Sequence, residues 1–136
     1  MYENSFNLLE ISESLVDNCY KIKKVFDERN NLKMVQVLNS QCRIYKCLFY
    51  DENKRLSNIS MYDTDSGKEV RNFTFRADGK TLSSMREYAE GNRLASVTFF
   101  KEDGKSPSST IEYDAFGRET QFSIYNDDGE IITQKF

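Results

Sequence analysis

A pair of carboxylates could formally carry out acid–base chemistry in this chain of 136 residues, whose sequence contains no histidine. Histidine is the commonest general base and metal ligand, and without it no Ser-His or Cys-His nucleophile pair can form. Many of the acidic residues lie in short polar segments: Asp51, Asp78, Asp103, Asp127 and Asp128. Turns favour aspartate, whose carboxylate hydrogen-bonds the nearby backbone. We therefore interpret these residues as turn residues and predict that the chain is not an enzyme.

Metal binding is also disfavoured by the spacing of the candidate ligands. The segment DTDSGKE at residues 63–69 opens like a calcium loop, but the twelfth position, which requires glutamate, holds Thr74. Cys42 and Cys47 differ in parity along one predicted strand, so their thiols are predicted to point to opposite faces. We predict no metal site and no cofactor.

The distribution of charge disfavours nucleic acid and membranes as partners. The net charge is −3, and residues 1–19 hold four acidic residues and no Lys or Arg, so the rest of the chain carries +1. This leaves no basic track for phosphates, and no apolar run approaches the ~20 residues of a membrane span. The first residues lack the basic region of a signal peptide, and the three cysteines form no C-x-x-C motif. We therefore expect a cytoplasmic protein with reduced thiols.

A repeat governs the second half of the sequence. The segments FRADGK, FKEDGK and YNDDGE begin at residues 75, 100 and 125, and YAEGNR and YDAFGR begin between them at residues 88 and 113. An aromatic residue followed by a polar turn thus recurs every 12 or 13 residues, and each of the six glycines falls in one such turn. Asp-Gly between strand-like runs is a strong hairpin signal.

The repeat predicts a mainly β fold, namely a single curved up-and-down antiparallel meander. Short turns join consecutive strands, whereas parallel neighbours would need long crossovers. Period-two alternation between the turns predicts ten strands. We place them at 20–27, 32–39, 42–50, 55–63, 69–76, 81–89, 94–101, 107–114, 119–126 and 131–136.

A single α-helix is predicted over residues 5–18. Its apolar stripe consists of Leu8, Ile11, Leu15, Cys19 and Ile22, which follow helical spacing. We expect this helix to pack on the concave face of the sheet, so that residues 1–136 form one domain with the meander over 20–136.

Two families of repeats resemble these motifs. Tyr113-Asp114-Ala115-Phe116-Gly117-Arg118 resembles the Y-D-x-x-G-R unit of the Rhs-type YD repeat. The Asp-Gly-Lys turns at 78–80 and 103–105 are similar to the MORN-like repeats of YwqK-type bacterial antitoxins. The resemblance covers about residues 50–136 and implies a β-repeat protein that binds another protein, with no catalytic residues to carry over.

The resulting expectation is a non-catalytic immunity protein or antitoxin that neutralises a cognate protein toxin by direct contact. The candidate contact residues are Tyr88, Tyr113, Phe116, Tyr125, Glu10 and Glu13. Phe116, inside a turn, either serves as an exposed anchor or folds back onto the core. The alternative is a structural β-repeat module that associates with itself through the end strand IITQKF at 131–136. In either case we expect a monomer or a weak homodimer.

Overall fold

The computed structural model describes residues 22–136, which form one ten-stranded antiparallel sheet whose strands are neighbours in chain order. The strands are β1 (Ile22–Phe26), β2 (Leu32–Leu38), β3 (Ile44–Tyr50), β4 (Leu56–Tyr62), β5 (Glu69–Phe75), β6 (Leu82–Ala89), β7 (Arg93–Phe100), β8 (Pro107–Tyr113), β9 (Glu119–Tyr125) and β10 (Ile131–Lys135). The first and last residue of each strand lie within two residues of the bounds predicted for that strand.

The predicted fold class, a meander with an α-helix packed on it, requires correction. Residues 22–136 are all β and contain no helix, and the helix predicted over 5–18 lies outside the described residues. Ile22 belongs both to the apolar stripe at helical spacing and to the strand predicted over 20–27, and it lies in β1, opposite Val37. A few apolar residues at helical spacing are therefore a weaker signal than alternation continued between regular turns.

In most turns, a side-chain oxygen near the start of the turn accepts hydrogen bonds from backbone N–H groups of the same turn. Asp51 Oδ1 accepts the N–H groups of Asn53 and Arg55 at 2.8 and 2.9 Å, and Asp114 does the same for Phe116 and Arg118. The fourth residue of these five-residue turns has positive φ. It is Gly117 or Gly129 late in the chain, but Asn30, Cys42 and Lys54 in the first three turns.

A bulge follows the turn in eight of the nine strand pairings. The register shifts at the end of the strand before the turn, so that one residue just after the turn has no opposite partner. The β9–β10 pairing has no such shift. Bulges bend a strand and increase its right-handed twist. The repeat therefore bends the sheet regularly up to β9, and the last hairpin departs from the pattern.

Successive turns at one end of the sheet nest against each other. A side chain at Gly79 would meet Arg55 Cβ at 2.9 Å, and one at Gly104 would meet Thr81 Cβ at 2.5 Å. Basic side chains connect the same turns, since Arg76 Nη2 donates to the carbonyl oxygens of Phe100 and Lys101 at 3.0 and 2.9 Å. These contacts join turns that are two strands apart.

The core lies on one side of the sheet, here called the front face. Its central register row runs through Val35, Leu48, Ile59, Phe73 and Met85 on strands β2 to β6. Val35 and Ile59 are 0% exposed, and the other buried members of the cluster are Val37, Phe75, Leu82 and Phe100. Residues of the opposite parity in β1–β10 form the back face.

Residues 22–136 contain no helix that could span a membrane.

Candidate functional site

The apolar side of the sheet changes face between β6 and β7. The front-face row that begins with Val35 continues beyond Met85 through Thr98, Thr110, Ser123 and Thr133. Successive partners in an antiparallel register lie on the same face. The central row of the front face is therefore apolar from β2 to β6 and carries hydroxyl side chains from β7 to β10.

The back face shows the opposite change. In β4 to β6 it carries Asn58, Ser60, Asn72, Thr74 and Ser84, most of which are hydrogen-bonded to one another. From β7 onwards the two back-face rows become mainly apolar. We call these apolar residues the C-terminal patch: Val97, Phe99, Ile111, Phe122, Ile124 and Ile132.

The C-terminal patch is only partly buried. Val97 is buried at its centre, whereas Phe99 is 40%, Ile124 41% and Ile132 53% exposed. An exposed contiguous apolar patch on a small protein marks an interaction site more often than isolated apolar side chains do. The sequence interpretation did not identify these residues as a site.

The hydroxyl side chains of the central row in β7–β10 are hydrogen-bonded within the front face. Thr98 Oγ1 and Thr110 Oγ1 lie 3.2 Å apart, Ser123 Oγ and Thr133 Oγ1 lie 3.1 Å apart, and Thr110 Oγ1 donates to the Tyr125 hydroxyl at 3.4 Å. Hydroxyl pairs of this kind stabilise a sheet without presenting apolar area. In this half of the sheet, the larger exposed apolar area therefore lies on the back face, at Phe99, Ile124 and Ile132.

The predicted aromatic contact residues fall into two groups. Tyr88 and Tyr113 end β6 and β8 and share the parity of Arg86 and Ile111, so both lie on the back face at one end of the sheet. Burial raises the pKa of the Tyr88 phenol, and Glu69 raises it further. Tyr125 lies at the opposite end on the front face. The structure therefore does not bring all the predicted residues together.

Phe116 is exposed and does not fold back onto the core. It is 82% exposed at the tip of the β8–β9 turn. The Arg118 guanidinium carbon lies 5.1 Å from the centre of its ring, and Arg118 Nε also donates to Asp114 Oδ2 at 3.1 Å. Phe116 therefore lies in the turn that follows Tyr113, at the same end of the sheet. Glu10 and Glu13 lie outside the described residues.

The turn carboxylates are engaged by the backbone. Asp103 accepts the N–H groups of Lys105 and Ser106 and the Ser106 hydroxyl, and these bonds lower the pKa of its carboxyl to about 2. Asp78 has the same environment and its pKa is also about 2, with the backbone N–H of Thr81 as the main cause. These groups are poor general bases. Within residues 22–136, no group of three His, Cys, Asp or Glu side chains is placed to hold a metal ion.

A hollow of about 630 Å³ lies between the β2–β3 and β4–β5 turns. Its walls include Cys42, Cys47, Tyr62 and Asp65, so both cysteines border one depression. Cys42 lies in a turn, outside the strand on which we had predicted it. Burial raises the pKa of the Cys47 thiol and also that of the Tyr62 phenol. Both groups are therefore neutral at pH 7 and the thiol is a weak nucleophile.

Strand β10 forms one edge of the sheet. It pairs with β9, and its five residues are all exposed. Such an edge presents backbone N–H and C=O groups that another strand can pair with.

Comparison with known proteins agrees with the fold and gives no activity. A family model for a protein of unknown function (DUF2963) matches residues 49–98, less than half of the chain. No curated protein matches the sequence.

Among solved structures, a GtfA/B complex bound to UDP and GlcNAc superimposes with a TM-score of 0.61 at 10% identity, covering 85% of this chain and 24% of that one. TarM of S. aureus gives 0.60 at 11% identity, covering 93% and 23%. The pneumococcal O-GlcNAc transferase GtfA gives 0.53 at 22% identity, covering 88% and 22%. The chain thus spans about a quarter of the length of these proteins, and the likeness concerns the fold alone.

Proposed function

We propose that this chain is a protein-binding module without catalytic activity, and that the C-terminal patch is its binding surface. The observation that carries the proposal is the change of apolar face after β6, which leaves Phe99, Ile124 and Ile132 exposed on the side opposite the core. Burying one such partly exposed side chain contributes about 1 kcal/mol to association.

The chemistry of the described residues favours binding over catalysis. The chain has no histidine, and the carboxylates of Asp78 and Asp103 are held by turn hydrogen bonds. A similar fold makes up between a fifth and a quarter of one chain in two structures of the GtfA/B complex. A meander that accompanies another protein is consistent with a binding role.

The partner that we propose is a cognate protein toxin, which makes the chain an immunity protein or antitoxin acting in the cytoplasm. The resemblance of the Asp-Gly-Lys turns to YwqK-type antitoxins supports this partner class. Phe116 and Tyr113 would widen the contact at the end of the patch.

A pair of matched variants tests the binding surface. Ile124→Asp places a charge in the patch, and Val25→Asp places one on the same back-face register row eight strands away; both residues are 41% exposed in the native chain. The tagged protein is used to capture its partner from the native cell, and the captured protein is then expressed with and without the chain.

We expect a captured protein that arrests growth when expressed alone and that the native chain neutralises. Ile124→Asp should weaken the complex at least about tenfold, since tenfold corresponds to about 1.4 kcal/mol, and Val25→Asp should not. Urea midpoints equal to that of the native chain would show that neither substitution affects folding. Equal binding by both variants would refute the patch, and a partner without toxicity would refute the toxin.

A further inference from the structure

The outer edge of β10 has a defined set of unpaired backbone groups. The N–H of Phe136 donates to the carbonyl of Thr120 at 2.9 Å, and the carbonyl of Glu130 accepts the N–H of Asn126 at 2.8 Å. Because hydrogen bonding alternates along an antiparallel strand, even-numbered residues of β10 face β9. The N–H and C=O groups of Ile131, Thr133 and Lys135 therefore point away from the sheet.

The two edges of the described sheet differ in charge. β1 carries adjacent lysines, Lys23 and Lys24, one on each face, and edge lysines discourage pairing. In β10 the residues from Ile131 to Gln134 are uncharged and Lys135 is the last strand residue. Pairing of β10 with β1 of another copy would bring both lysines to the joined edge, which disfavours an open head-to-tail array.

Pairing of β10 with itself avoids such conflicts. In an antiparallel pair centred on Thr133, Thr133 faces its own copy and Lys135 faces Ile131 of the other chain, so like charges stay apart. All the outward backbone groups of the strand find partners. On the front face, the hydroxyl row that runs from Thr98 to Thr133 continues into the second chain.

We propose that two copies of this chain associate through antiparallel β10–β10 pairing centred on Thr133. The two-fold axis is perpendicular to the sheet, so the pair closes on itself. Both back faces remain on the same side, and the two C-terminal patches become one surface that crosses the axis at Ile132. A single strand edge buries less than the ~1,200 Å² of a standard interface, so we expect a dissociation constant on the order of micromolar to millimolar.

Substitution of Thr133 tests the pairing. Thr133→Pro removes an outward N–H that β9 does not use, and Pro is tolerated at such edge positions. Thr133→Ala is the matched control, because both variants lose the hydroxyl contact with Ser123 but only the alanine keeps the N–H. By sedimentation equilibrium, we expect Thr133→Pro to raise the dissociation constant about tenfold or more and Thr133→Ala to change it less than about threefold.

Cross-linking tests the register. The symmetric pair brings the two Thr133 Cα atoms to about 5.5 Å, which is within disulfide range. In a background without Cys19, Cys42 and Cys47, oxidation should therefore cross-link Thr133→Cys. Lys135→Cys faces Ile131 of the other chain and should not cross-link.

A monomer at all concentrations, an unchanged dimer in Thr133→Pro, or equal cross-linking at positions 133 and 135 would overturn the proposal. These results are independent of partner binding. If the chain is a monomer and Ile124→Asp still loses the captured partner, the proposed function stands and the self-pairing falls.

Discussion

Replacement of Gly104 by alanine should destabilise the protein far more than replacement of Gly117, although both residues have positive φ (70° and 80°). An alanine at either position pays about 1–2 kcal/mol for the left-handed conformation. At Gly117 a Cβ would meet nothing within 4 Å, so this is the whole expected cost.

At Gly104 the added carbon also collides with the neighbouring turn. It would lie 2.5 Å from Thr81 Cβ, 2.8 Å from Thr81 Cα and 2.9 Å from Leu82 N, whereas carbon atoms prefer separations of about 3.5–4.0 Å. Two of these three atoms belong to the backbone, so relief requires movement of the β5–β6 turn. Overpacking of this kind costs about 1–3 kcal/mol, which gives a total of about 2–5 kcal/mol.

Urea unfolding of the two variants measures this difference directly, with equal slopes indicating an unchanged denatured state. Gly129→Ala is a second control from the same end of the sheet, since its Cβ would also meet nothing within 4 Å. If Gly104→Ala costs no more than Gly117→Ala, the turns do not nest as described and the reasoning is wrong.

Three further predictions concern the turns. The folded-state pKa of Asp103 is about 2, against an ordinary value of 3.8. Its contribution to stability is therefore present above about pH 4 and is lost as the pH falls through about 2. Urea unfolding from pH 5 to pH 2 should show less acid destabilisation in Asp103→Ala than in the native protein. Lys54→Gly should raise the free energy of unfolding by about 0.5–1 kcal/mol, because φ is +64° there; no gain in a urea titration would contradict this. Phe116→Ala should change the free energy of unfolding by less than about 0.5 kcal/mol because the ring is exposed, and a larger loss by the same measurement would show that the ring packs on the fold.

The strand positions could be predicted because most turns have a local sequence signature. Asp-Gly pairs and the aromatic residue before them mark the strand ends, and alternation fills the interval. The first three turns lack glycine and were harder to recognise, since Asn30, Cys42 and Lys54 adopt the conformation that glycine adopts later. The helix prediction had no comparable support.

The C-terminal patch could not be found from any one strand, because it depends on register between strands. The signal was nevertheless present: Phe73 shares the parity of the aromatic residue that ends its strand, Phe75, whereas Phe99 has the parity opposite to Phe100. Comparing that parity from strand to strand reveals the change of face. Residues near the turns, such as Tyr125, drew attention by repetition, and repetition reflects the fold more than the site.

The alternation of the strand ends has a consequence for how such a chain grows. Phe75 and Phe100 end their strands on the front face at one end of the sheet, whereas Tyr88, between them, does so on the back face at the other end. Duplicating one strand and turn would exchange ends and faces for everything that follows. Duplicating two strands restores both, so the 25-residue pair is the smallest internal duplication that leaves the ends and faces of all later strands unchanged.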